Sequence, residues 1–257
     1  MIFKRPGGFS ASSWTAAAFL PLLLALWQLA SAVVPVYILP PPADVLDRLW
    51  MEILERDIWI DSLITMRTLL AGFVLSLAGG VTMGVLAFNF PVVEKIMHPT
   101  TVFIESAPTI AWLVLAILWL GLGSGPPVLV GVSMALPLFY LNTITSLQQL
   151  ERGYFEMAQV YDLSRWKKLT SLILPSLAIS LVGTASGALS VAWRGIIMAE
   201  AFSSSDGLGP LLWGEYLYGN INKVYALILW IVALGLGMEY LLIHPLRRIV
   251  TRRLGGD

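Results

Sequence analysis

Hydrophobic positions in this chain come in long runs rather than in short alternations. The first run, residues 14–34, carries no charged side chain, and others follow at about 63–88, 99–120, 127–147, 173–201 and 224–243. A helix needs roughly 20 mostly apolar residues to cross a hydrocarbon layer about 30 Å thick, so each run predicts one span. The expected fold is all-α, a polytopic membrane helix bundle with about six transmembrane helices, in one domain over residues 1–257. The first run is too long for a secretory signal core, and no small-residue cleavage pattern follows it before Pro35.

The polar stretches between runs are few. Pro40, Pro41 and Pro42 open a segment that predicts a short helix, with Asp44 and Asp47 in its first turn, where acidic groups interact favourably with the helix dipole. Residues 203–223 form a connection rich in Ser and Gly. The longest polar loop, residues 148–172, is neither low in complexity nor rich in Pro and Gly, so it is expected to fold.

Composition agrees with this pattern. Apolar residues make up 57% and charged residues 12%, against about 45–50% and about 25% in globular chains. The sixteen basic and sixteen acidic residues cancel, which leaves no global field for nucleic acid. Their placement is asymmetric. With both termini in the cytoplasm, Lys4, Arg5, Lys95, Arg152, Arg165, Lys167, Lys168, Arg247, Arg248, Arg252 and Arg253 lie inside, and only Arg48, Arg56 and Lys223 lie outside. Basic residues collect on the cytoplasmic side, so this orientation is expected. The absence of cysteine excludes disulfides and thiol chemistry. Two histidines, His98 and His244, are too few for a His-rich metal site, and no metal is expected.

Within residues 148–172, positions 154–161 suit a short helix, and Ser164 is placed to cap a second one that begins Arg165-Trp166-Lys167-Lys168. Phe155, Tyr161 and Trp166 would then face a partner, or the loop is a basic surface flank. The segment resembles the EAA loop of binding-protein-dependent ABC importer permeases. Glu156 and Ala158 match its Glu-x-Ala pair, and Ile173-Leu174-Pro175 its far end. The likeness covers about residues 63–247 and is strongest to the nitrate/taurine/aliphatic-sulfonate permease group. Trp119-Leu120-Gly121-Leu122-Gly123, Ala192-Trp193, Ala199-Glu200 and Gly207-Leu208-Gly209 resemble further motifs of that group. One position departs. Asp162 stands where the family carries glycine, and Asp tolerates the left-handed turn better than most residues.

The resemblance implies a type I ABC importer permease fold with a loop that couples to a cytoplasmic ATPase through Phe155, Glu156, Ala158, Tyr161, Asp162, Trp166 and Pro175. It also implies partners: a second permease copy or a paralogue, two ATPase subunits and an extracytoplasmic solute-binding protein, in a bacterial inner membrane. No G-x-x-x-x-G-K-[ST] loop occurs in the chain, so no cofactor is expected here, and ATP and Mg belong to the partner ATPase. The chain is expected to be a transport subunit and not an enzyme, carrying a small solute such as a sulfonate, taurine or nitrate. A heteroaromatic metabolite is the alternative cargo. An ion-gradient carrier would share charges within spans but would not need an EAA loop, and an intramembrane enzyme would want clustered acids or a histidine site.

Ionisable residues inside spans usually face the protein interior or a water-filled cavity. Arg67 sits near the outer end of the second run, where its side chain can reach the interface. Glu239 is expected to pair with Arg247 or Arg248. Glu200, matching a family position, is expected to be structural or gating. Gly183, Gly187, Ser190 and Arg194 share one helix face. Arg194 either lines a pathway and meets an anion there, or forms a buried pair with Glu105 or Glu200. Glu105 with Pro108 suggests a kink that shapes a cavity. Gly72, Ser76, Gly80 and Gly84 form a second stripe, explained by close helix packing. Asn142 and Gln28 are expected to bond between helices.

Overall fold

The computed structural model describes residues 11–149, 160, 164, 167, 173–245, 248 and 250. The described residues form helices joined by short connections: α1 (Ala11–Val33), α2 (Pro42–Leu54), α3 (Arg56–Asn89), α4 (Pro91–Ser106), α5 (Thr109–Leu120), α6 (Gly125–Gln149), α7 (Leu174–Ser203), α8 (Leu208–Leu217) and α9 (Ile221–Met238). A π-helical turn, Glu239–Ile243, extends α9. Helices α3, α6, α7 and the stretch Ile221–Leu241 are each long and apolar enough to cross a membrane. The chain divides into two compact units, residues 1–55 with 214–230, and residues 56–213 with 231–257.

In the larger unit the expected third span is not one helix. It is the pair α4 and α5, bent by 103°. The reason lies in Ala107 and Pro108. Proline crowds the residue before it out of the helical region, and Ala107 is extended at φ −77°, ψ 133°. Pro108 follows at φ −57°, ψ 142°. Two consecutive extended residues end one helix and redirect the next, so the expected kink is a full break. The Trp112 indole N–H donates to the Ile104 carbonyl across it at 3.1 Å.

Helices α3 and α6 pack through the stripe of small residues on α3. Gly72, Ser76, Gly80 and Gly84 are all buried. A Cβ at Gly80 would lie 2.6 Å from the Phe139 Cβ and 2.8 Å from the Leu136 carbonyl oxygen, and one at Gly84 would lie 2.6 Å from the Thr143 Cβ. Nothing larger than hydrogen fits there. Phe73 meets Phe139 edge-on, with ring centroids 5.4 Å apart. Helix α6 starts with Pro126 and Pro127 in its first turn, where a missing N–H costs no intrahelical bond.

On its other side α6 holds α7 through a polar clamp. The Ser180 hydroxyl donates to the Asn142 side-chain oxygen at 2.6 Å, and the Ser146 hydroxyl lies 2.6 Å from that of Ser180. Asn142 is therefore an interhelical bonder, as expected. Gln28 is exposed, and its side chain makes no interhelical hydrogen bond among the described residues.

In the smaller unit, Trp27 donates to the Pro40 carbonyl at 3.0 Å and Tyr225 to that of Ile38 at 3.0 Å. Asp44 lies in the first turn of α2 as expected. Asp47 does not, because the helix starts at Pro42 and places it one turn further on. Where a Ser- and Gly-rich connection was expected, residues Leu208–Leu217 form α8. Glu52, 2% exposed, takes Arg48 at 2.5 Å and Lys223 at 3.3 Å, and Lys223 also meets Glu215 at 3.1 Å.

Two predictions follow from this packing. Gly80→Val forces atoms into the α6 backbone and should cost about 1–3 kcal/mol or more, whereas Gly183→Ala, with nothing within 4 Å of its Cβ, should leave the melting midpoint in detergent unchanged. Burial pushes the Glu215 carboxyl up, but the Asn220 amide and the Lys223 ammonium outweigh it and hold it below the usual carboxylate range. A lowered pKa gives stability that is present above the unfolded value and lost as pH falls through the folded one. Melting curves from neutral to acid pH should show that loss, and Lys223→Gln should reduce it.

Candidate functional site

Helix α7 presents two faces of different character. One is packed: Ala188, Ala192, Ile196 and Ala199 are buried. The other is the stripe Gly183, Gly187, Ser190 and Arg194, and every member of it is exposed. A Cβ built on Gly183 or Gly187 meets nothing within 4 Å. This is the opposite of the α3 stripe, although the two look alike in sequence.

Ser190 and Arg194 open onto a cavity of about 630 Å³, walled by Trp193, Ile231, Gly235 and Glu239 among others. Arg194 forms no ion pair among the described residues. Its Nε donates to the Ser190 carbonyl at 3.1 Å, which folds the guanidinium back along its own helix. The alternative of a buried pair with Glu105 or Glu200 does not hold. Glu105 is exposed at the end of α4, beyond which the chain turns away at Ala107, and Glu200 is engaged elsewhere. Arg67 is exposed on α3.

Glu200 is 1% exposed. Its Oε2 accepts the Thr65 hydroxyl at 2.7 Å, and the Thr65 oxygen in turn accepts the Leu208 N–H at 2.9 Å. The adjacent Gly207 N–H donates to Asp61 Oδ1 at 3.0 Å. Gly207 sits at φ 114°, which a side chain would oppose, and a Cβ there would lie 2.9 Å from the Glu200 carboxylate. Glu200 thus ties α7 to α3 and to the start of α8. Thr65 and Asp61 were not singled out from the sequence, since they precede Glu200 by more than a hundred residues and carry no motif.

Glu239 does not pair with Arg248. It stands in the π-helical turn after α9, and its Oε1 accepts the Ser186 hydroxyl at 2.6 Å. Arg247, the other expected partner, lies outside the described residues, as do the coupling-loop positions Phe155, Glu156, Ala158, Tyr161, Asp162 and Trp166. The described positions in that loop agree with one reading. Lys167 is helical and its N–H donates to Ser164 Oγ at 3.3 Å, the bond expected of an N-cap residue. Pro175 lies at the start of α7.

Residues 76–254 match the family described as binding-protein-dependent transport system inner membrane component. The chain belongs to this family. It is 26% identical to the aliphatic sulfonates transport permease protein SsuC of Bacillus subtilis, over 90% of this chain and 85% of the relative. It is 23% identical to the nitrate import permease protein NrtB of Synechococcus elongatus, over 84% of this chain and 81% of that one. Among solved structures, an inward-facing MetNI methionine ABC transporter superposes with a TM-score of 0.56 at 21% identity, over 79% of this chain and 97% of that one. The fold is that of a type I ABC importer permease, and the chain is the permease subunit of an ABC importer. In this permease Arg194 lines a cavity and Glu200 is enclosed in a braced turn.

The brace around Glu200 carries its own prediction. Thr65→Val removes the hydroxyl that donates to a buried carboxylate and accepts the Leu208 N–H, and should lower stability by about 1–3 kcal/mol or more. Thr65→Ser should retain it. Thermal unfolding of the two purified variants in the same detergent checks this.

Proposed function

We propose that this permease translocates a small anion, such as a sulfonate, taurine or nitrate, and that the anion passes along the face of α7 bearing Gly187, Ser190 and Arg194. The observation that carries this reading is a guanidinium on a membrane-spanning helix that opens onto a cavity and has no carboxylate partner among the described residues. Such a group is costly in lipid unless a water-filled space or an anion receives it, and a guanidinium offers paired N–H donors to an oxyanion. The names of the relatives in sulfonate and nitrate transport support the same class of cargo.

In this reading two permease chains, or one and a paralogue, pair about a two-fold axis. Two ATPase subunits bind on the cytoplasmic side through the loop around Phe155, Glu156, Ala158, Tyr161, Asp162 and Trp166, and an extracytoplasmic binding protein delivers the solute. Both termini face the cytoplasm. ATP and Mg reside in the ATPase and none in this chain. Glu105 is exposed at the end of α4 and does not line the Arg194 cavity, and Glu200 holds the outer turn as a structural or gating element.

Co-expression with its ATPase and binding protein tests the proposal. Arg194→Ala should assemble normally and lose most of the uptake of ethanesulfonate or nitrate by cells. Glu156→Ala with Trp166→Ala should lose ATPase during purification. Unchanged uptake by assembled Arg194→Ala removes the pathway assignment. An ATPase that never accompanies the parent chain removes the coupling loop.

A further inference from the structure

A second cavity, of about 790 Å³, lies within the smaller unit. It is lined by Val36 and Tyr37, which follow α1, by Arg48 of α2 and by residues 219–223 at the start of α9. Among the described residues no carboxylate lines it. The carboxylates that pair its two cations stand away from it. Glu52, which is buried, holds Arg48 Nη2 at 2.5 Å and Lys223 at 3.3 Å, and Glu215 holds Lys223 at 3.1 Å. Both cations keep donors beyond these pairs. Lys223 has a third N–H, and the Arg48 guanidinium has its Nε and Nη1 groups. The positive end of the α9 dipole lies at the same place.

The cavity also has a definite height. The apolar helix α1 ends just before it, at Val33, and the membrane-length stretch Ile221–Leu241 begins in it. It therefore stands where two apolar segments meet a membrane surface. Tyr37 and Tyr218 are exposed there, as in the aromatic belts of membrane interfaces. Leu22, Leu26, Leu29 and Val33 share one face of α1, and all four are exposed. This apolar ridge ends about one turn before Val36.

We propose that this cavity binds the phosphate of an anionic phospholipid, with an acyl chain along the α1 ridge. The inference goes beyond the reading of Arg194 and does not depend on the cargo. A guanidinium takes a phosphate with paired N–H donors, and an ammonium meets it as a point charge. Basic pockets between membrane helices suit anionic headgroups. A soluble protein would find the cations but would have no use for a ridge that runs along an apolar helix. The bound headgroup ties α2 to the start of α9 through Arg48 and Lys223.

The test adds phosphatidylglycerol or phosphatidylcholine, with the same oleoyl chains, to the permease–ATPase complex in detergent. Bound lipid is measured by native mass spectrometry. Phosphatidylcholine carries the same phosphate with a quaternary ammonium that Arg48 and Lys223 repel. The parent should hold phosphatidylglycerol about tenfold more tightly, the scale of one charged hydrogen bond. Arg48→Gln leaves Lys223 on Glu52 and should abolish that preference. Val36→Asp brings a carboxylate to the cavity, leaves both ion pairs of Glu52 in place, and should abolish it as well. Should Arg48→Gln not assemble, Val36→Asp decides. Equal binding of the two lipids by the parent, or a preference that survives in Val36→Asp, overturns the proposal. So does displacement of phosphatidylglycerol by equimolar inorganic phosphate, which makes the cavity a site for free anions. Displacement by the purified binding protein also overturns it, and makes the cavity a docking surface for that protein.

Discussion

The approach of α3 to α6 sets the geometry on which the larger unit depends. Lipid tails are as apolar as leucine, so helices in a membrane are held by packing and by polar bonds between them rather than by escape from water. Gly80 and Gly84 leave the backbone of α6 so close that a single methyl would collide with it. With α6 fixed against α3 on one side, its other side carries Asn142 and Ser146, and these hold α7 through Ser180. The rotation of α7 is settled by that clamp together with its buried alanines. The face left over is the one bearing Arg194.

Two carboxylates within this arrangement show how context divides chemically equal groups. Glu200 is enclosed where α7 meets α3 and the start of α8, and Thr65 serves it and Leu208 together. Its surroundings make it a brace. Glu239 stands in a widened turn, reached by one serine hydroxyl, on the wall of an open cavity. Its Oε2 is shielded and has no hydrogen-bond partner, so Ser186 is the bond that holds it. The same contrast separates the two glycine stripes, one filled by a neighbouring helix and the other empty.

Periodicity and hydropathy made most of the spans legible, because crossing a membrane demands length and apolarity that few other folds share. The Ser164 cap, the α3 stripe and the Asn142 bond were legible for the same local reasons. What escaped depends on tertiary position. A Pro after Ala107 announces a disturbance, but whether it bends the helix or ends it depends on whether both residues stay extended. The partner of Glu200 comes from a helix far away in sequence, whereas charge alone offers Arg194 for it and Arg248 for Glu239, pairs that the packing does not form. Helix α8 was hidden in a stretch whose Ser and Gly read as a loop; the serines lie before its start, but Gly209 and Gly214 lie inside it.

The break at Ala107 and Pro108 also has a mechanical meaning. A straight helix carries a displacement from one end to the other with little loss, as a strut does. A right-angled joint of two extended residues converts an axial push on α4 into a swing of α5 across it. Helices α3, α6 and α7 are therefore the struts of this bundle. The α4–α5 pair is its elbow, where two apolar helices change direction across only two residues.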